Sequence, residues 1–282
     1  MIDNASRCTR LALRVIREIV GVAAITAASL CDASAQSRPF LFSVTTASGK
    51  AGRGVISGDL GYGERLFQSI GPEQSEQAAT VQMAIGSRGT FWARTGLALG
   101  DPAATASVSA HAEILADLLS GSSTTRLFIG GGVLRDYAGV PVITARLGAA
   151  RLGERWQTVG NVRLEHAFEA EEADGARRDA LDVVTSAGLS CRAGASTRLG
   201  LEAVGEDLEG LIESDEAEGG AKFMVGPMLR YAPGASGLEL LAGGGPVVHL
   251  SRSTAPAPAP GLPRDLSTRS GYVLRVTLGY RW

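Results

Sequence analysis

Cysteine is nearly absent from this sequence: among 282 residues only Cys8, Cys31 and Cys191 carry a thiol. Aromatics make up 5% of the chain, histidine occurs three times and proline 11 times. Neither charge sign dominates, since 27 Lys and Arg stand against 29 Asp and Glu for a formal net charge of -2, so no global basic field points to nucleic acid. No G-x-S-x-G or H-E-x-x-H motif occurs, and no EF-hand spacing is found, so neither an enzyme nor a resident metal or cofactor is expected. Beyond residue 31 no run of 18 apolar residues follows, which excludes a conventional helical membrane span there. What is abundant is glycine, 37 residues, against a usual share of about 7%. With 45% hydrophobic residues as well, the composition argues against a helical protein and equally against a disordered one.

The first 35 residues read as an export signal. Arg7, Arg10, Arg14 and Arg17 precede an uncharged run from Ile19 to Cys31 (IVGVAAITAASLC), and Ala33-Ser34-Ala35 follows as an A-x-A cleavage site. The run is shorter than the roughly 20 residues of a spanning helix. Leu30 is too large for a lipoprotein site at Cys31. Cleavage after Ala35 leaves Cys191 alone, so the exported chain must be stable without an internal disulfide.

From there the chain alternates. In residues 272 to 282 one parity holds Tyr272, Leu274, Val276, Leu278, Tyr280 and Trp282, the other Val273, Arg275, Thr277, Gly279 and Arg281. Residues 221 to 231 and 156 to 168 repeat the pattern, with weaker echoes at 79–86, 90–99, 104–114, 140–151, 180–191 and 196–204. Alternation over these lengths matches strands that cross a bilayer at a tilt, about 9 to 11 residues, better than the 5 to 6 of soluble sheets. The rings fall near the ends of these segments, at Tyr62, Trp156, Phe168, Phe223, Tyr231, Tyr272, Tyr280 and Trp282, where membrane interfaces gather aromatics.

The last segment, with Tyr272, Leu274, Val276, Leu278, Tyr280 and the terminal Trp282, resembles the C-terminal signature of bacterial outer-membrane β-barrel proteins. Members of that family more often end in Phe. The resemblance implies an outer-membrane location, lipid and lipopolysaccharide as surroundings, and recognition of the last strand by the barrel-assembly machinery. The expected fold is all-β: a transmembrane antiparallel up-and-down β-barrel over residues 53–282. Twelve strands are expected near 53–63, 78–87, 89–99, 104–116, 123–134, 140–151, 156–168, 180–191, 193–204, 221–232, 237–251 and 270–282. Residues 40–47 (FLFSVTTA), within an N-terminal segment 36–52, could form a further strand, which sets the range at 10 to 14. Connections at 64–77, 169–179, 205–220 and the Pro-rich 252–269 are long or polar and belong outside; those at 87–89, 152–155, 192–195 and 233–236 are short and belong inside.

The parity opposite the apolar one should line the lumen, with Arg94, His111, Glu113, Arg146, Arg163, Glu165, Arg198, Glu202, Lys222, Arg230 and Arg275. Such charges can fill the interior as a paired network or line a small passive pore, and Arg slightly outnumbers acid. The alternatives are a surface-binding or adhesion role and a lipid-modifying enzyme. The first would use the acidic loops, Glu206 to Glu218 and Glu169 to Asp174, together with the Pro-rich one. The second would need His166 beside Ser186 or Ser190. The glycine triplets 130–132 and 243–245 are not followed by helices and read as places where strands bend.

Overall fold

The computed structural model describes residues 38–47, 51–63, 74–99, 107–119, 124–137, 139–167, 181–206, 208–211, 221–251 and 270–282. The expected signal over 1–35, the acidic stretch 169–174, most of the acidic 206–218 and the Pro-rich 252–269 lie outside these residues.

Twelve strands follow one another: β1 (Gly54–Gly63), β2 (Gln74–Ile85), β3 (Gly89–Leu99), β4 (Ser107–Asp117), β5 (Thr125–Arg135) and β6 (Pro141–Leu152) form one half. The other half is β7 (Trp156–Ala167), β8 (Leu181–Arg192), β9 (Thr197–Glu206), β10 (Lys222–Tyr231), β11 (Leu238–His249) and β12 (Gly271–Arg281). Each pairs antiparallel with its sequence neighbours, and β1 pairs with β12 from Val55↔Arg281 to Gly63↔Val273, closing the barrel. Closure leaves no strand edge unpaired, the condition for a sheet to stand in hydrocarbon.

The period-2 pattern sets which face points out of the barrel. On β6, Ile143 and Leu147 are exposed while Val142, Thr144, Arg146 and Ala150 are buried. The same holds on β12, where Leu274, Val276 and Leu278 point out and Val273, Arg275 and Thr277 point in. Together with Leu60, Val108, Ile129, Val133, Leu189, Leu201 and Val225 these side chains form an exposed apolar belt. At one rim Tyr62 and Tyr272 pair with ring centroids 6.0 Å apart; at the other, Trp156 and Tyr231 are exposed at strand ends.

The rim joining β2 to β3, β6 to β7 and β8 to β9 has short turns, whereas the opposite rim carries the connections 64–73, 168–180, 207–221 and 250–270. In bacterial barrels the short turns face the periplasm. Between β10 and β11 the ladder opens: Met224↔Val247 and Met228↔Gly243 are paired, while Gly226, Pro227 and Pro246 between them are not. Gly244 takes φ +143°, and a Cβ there would lie 1.9 Å from the Val273 carbonyl oxygen, so this position requires glycine.

Residues 40–47 are not a further strand. They run irregularly through the inside of the barrel, with Phe40, Leu41, Phe42, Ser43, Val44, Thr45 and Thr46 all buried. A wall strand would expose alternate residues; this segment buries both parities because lumen surrounds it. Among the described residues the strand count is twelve.

Candidate functional site: the barrel lumen

The inner segment 38–47, called the strap below, is held by charged wall residues. The Glu202 carboxylate, in mid-β9, accepts backbone N–H groups from Leu41 (2.8 Å), Phe42 (3.1 Å) and Ser43 (3.2 Å). The Arg38 backbone N–H donates to Glu239 at 3.3 Å, and its guanidinium stands 3.7 Å from Asp59 and donates to the Leu41 carbonyl. At the other end Thr46 Oγ1 donates to Asp117 (2.7 Å), the Ala47 N–H donates to Thr90 Oγ1 (2.9 Å), and Gln82 donates to the Thr45 carbonyl. Asp117, Thr90 and Glu239 all lie near the short-turn ends of their strands, so the strap arches in from that rim and peaks beside Glu202.

Apolar contacts complete the fit. Phe40, Leu41 and Phe42 cluster with Val204, Met224, Met228, Leu241, Val247 and Val273 of the wall, while Val44 packs with Trp92 and Leu115. Each buried side chain of this size contributes about 1.5–3 kcal/mol. Gly188 makes the space for one ring: a Cβ there would lie 2.5 Å from Phe40. Arg275 lies over the Phe42 ring, 4.8 Å from its centroid.

Above the strap, toward the long-loop rim, remains an open chamber in the lumen. Its floor is Arg38, Phe42 and Val44, and its walls include Glu76, Trp92, Arg94, His111, Arg146, Asn161, Arg163 and Arg275. Glu113 accepts from Arg146 Nε (2.7 Å) and Nη2 (2.9 Å) in a bidentate pair and also meets His111 Nε2 at 3.0 Å and Thr144 Oγ1 at 3.2 Å. Glu76 collects Arg94 (2.8 Å), Arg275 (3.2 Å) and the Tyr137 hydroxyl. Tyr137, in the connection after β5, reaches inward to this point; burial, then the neighbouring Glu76 carboxylate, push its phenol up to about 12.

The sequence matches no family profile and no curated protein. Among solved structures, a KdgM porin in complex with disordered oligogalacturonate superposes with a TM-score of 0.53 at 7% identity, covering 81% of this chain and 99% of that one. A bacterial polysaccharide outer membrane secretin (TM-score 0.43, 7% identity, 83% and 99% covered) and the Pseudomonas putida toluene transporter TodX (0.41, 10%, 83% and 90%) are more distant. The fold is that of the outer-membrane β-barrels.

In this barrel ten of the eleven residues expected to line the lumen are buried, and Arg94 is half-buried. The structure gathers them into separate groups. Arg94 and Arg275 share Glu76; His111 and Arg146 share Glu113; Arg163 meets Glu165. Near the short-turn rim Arg230 stands 3.4 Å from Glu239, and Arg198 donates to the turn carbonyls of Gly153, Glu154 and Arg155. Lys222 stands 3.8 Å from Glu206 near the opposite rim, and Glu202 alone is given over to the strap. Of the terminal signature, Tyr272, Leu274, Val276 and Leu278 are exposed, Tyr280 is half-buried and Trp282 follows the end of β12.

Sequence reasoning set Asn161 on the polar parity of its strand without naming it as lumen lining, and it missed Asp59, Glu76 and Glu239, all on inward parities and all buried; strict parity would have found Asp59 and Glu239, whereas Glu76 lies before the strand expected over 78–87. It missed the strap's position altogether, since nothing in FLFSVTTA separates a wall strand from a lumen filler. His166 is exposed on the outside of β7 whereas Ser186 and Ser190 are buried on the inside of β8, so the wall separates the residues a lipid-modifying enzyme would have needed together.

Proposed function

We propose that the protein is a small channel of the outer membrane, stopped on its periplasmic side by its own N-terminal strap. One observation carries the reading: residues 38–47 occupy the lumen, anchored by Glu202, Glu239, Asp59 and Asp117, beneath an open chamber rich in arginine. A barrel whose only task was structural could close its lumen with wall side chains, as eight-stranded barrels do. Twelve strands enclose more, and the strap is what fills the difference. A porin sharing this fold supports the reading. Arginines outnumber carboxylates among the described residues that line the chamber, which favours anions over cations there. Export through a signal cleaved after Ala35 would place the new N-terminus two residues before Arg38, free to carry the strap in or out. Delivery of the last strand to the assembly machinery, and lipopolysaccharide around the long-loop rim, belong to the same reading.

Planar-bilayer recording tests it. The exported chain is expected to show small, infrequent steps, and a chain lacking residues 36–47 larger and frequent ones with anion selectivity. Silence from a folded, truncated barrel at every voltage would refute the channel.

A further inference from the structure

The geometry points to a binding site for a small oxyanion, a carboxylate or phosphate group, on the β6–β7 wall of the chamber between Arg146, Arg163 and Asn161. It deepens the channel reading and rests on it for what the site serves, although the binding itself needs no ion flow.

Three observations converge. First, Arg146 and Arg163 are direct cross-strand partners on the inward face. Like charges so placed are destabilising; Glu113 offsets Arg146 and Glu165 offsets Arg163, and an oxyanion between the two forks would offset them further. Arg146 uses Nε and Nη2 on Glu113, which leaves further N–H groups of its five-donor fork to turn toward the chamber, and Arg163 engages Glu165 from its own strand. Second, among the described residues five guanidinium groups line the chamber, those of Arg38, Arg94, Arg146, Arg163 and Arg275, and of the carboxylates only Glu76 joins them in the lining, Asp59, Glu113 and Glu165 standing behind their arginines. Planar forks of this kind match carboxylate and phosphate oxygens in pairs, which a spherical ion cannot exploit.

Third, Asn161 sits two residues before Arg163 on the same face of β7, lines the chamber and is only 5% exposed. Neither its amide nitrogen nor its amide oxygen finds a hydrogen-bond partner among the described residues. Buried amides are paired as a rule, and an exception facing a cavity beside two arginines marks a place kept for a ligand. The amide NH2 would donate to the same oxyanion that the two forks hold, with Phe42 and Val44 of the strap as an apolar floor for the rest of the solute.

Isothermal titration of the folded, detergent-solubilised full barrel with sodium succinate, sodium phosphate and sodium chloride tests this. Succinate or phosphate is expected to bind saturably, the stronger of the two naming the group, and chloride not to. Asn161→Leu removes the donor without touching a charge and is expected to weaken binding about tenfold or more. Asn161→Asp supplies its own carboxylate to the two arginines; binding should vanish while the temperature of the heat-dependent gel shift rises. Absence of saturable heat from both oxyanions, equal binding of chloride, or unchanged affinity in folded Asn161→Leu would overturn the site. Should Asn161→Asp fail to fold, Asn161→Leu decides alone. A silent truncated channel with intact succinate binding would refute the channel and leave the site standing.

Discussion

A charge inside a barrel is held only where other groups replace its water, and the lumen here solves that residue by residue. Glu202 does so with three backbone N–H donors, Glu113 with a bidentate arginine and Glu76 with two arginines and a phenol. Tyr137 is where this order can be read in solution. Its phenol is held near 12 rather than the ordinary 10.0, first by burial and then by Glu76. Below about pH 10 folded and unfolded chains both keep that proton, so the group adds no pH dependence; between about 10 and about 12 only the folded chain keeps it, and rising pH favours unfolding. Urea unfolding followed by tryptophan fluorescence at about pH 9 and about pH 11 should therefore show a loss of stability in the native chain. Tyr137→Phe, which keeps the ring, should show less of it; an equal loss in both would remove Tyr137 from the account. The inward charges were legible because parity is strict: once Arg163 and Glu165 were placed, β7 could face only one way. Their partners were not, because a carboxylate such as Glu76 pairs with Arg275 across 199 positions of sequence, which no local pattern records.

Elements show the same division between what a period encodes and what a neighbour imposes. The strand expected over 156–168 forms as Trp156–Ala167, and that over 89–99 as Gly89–Leu99, because both alternate to their ends. The strand expected over 78–87 starts at Gln74 instead, since Ser75 and Gln77 on its outer face are polar and the apolar pattern begins only after them. That expected over 193–204 begins at Thr197, the residues before it being taken by a turn in which Ala193 and Gly194 donate to the Thr197 carbonyl. The strap is the element with no period to read. Its seat depends on Gly188, where a side chain would meet the Phe40 ring at 2.5 Å, and this makes it separable from the barrel. Gly188→Val should overpack that seat at a cost of about 1–3 kcal/mol, shifting the docked-to-released ratio of the strap roughly 5- to 150-fold. Bilayer recordings should then approach those of the chain lacking residues 36–47, while the heat-dependent gel shift stays. Unchanged conductance would mean that the strap does not release as a unit.

At the scale of the molecule the paucity of cysteine finds its answer in closure. A sheet joined to itself from Val55↔Arg281 to Gly63↔Val273 has no edge to fray, and its apolar outer face needs no second layer if hydrocarbon surrounds it. Glycine finds its answer inside: positions such as Gly188, beneath Phe40, and Gly148, the cross-strand partner of Phe128, where a Cβ would come within 2.2 Å of that ring, give rings a place against the inner wall. The claim that separates this architecture from a water-soluble sandwich with the same alternation concerns the outward face. Leu201, 55% exposed near the middle of β9, belongs to the hydrocarbon zone, whereas Leu238, 45% exposed at the short-turn end of β11, belongs to the interface. An arginine costs about 2–4 kcal/mol at the bilayer midplane and about 0–1 near its edge. Leu201→Arg should therefore lower stability in lipid vesicles by that larger amount and Leu238→Arg by the smaller, measured as shifts in denaturant midpoint. In a sandwich bathed by water both leucines are surface residues of similar exposure, and the two substitutions would be nearly neutral alike. A depth-dependent difference of some 2 kcal/mol or more follows only if lipid surrounds the wall.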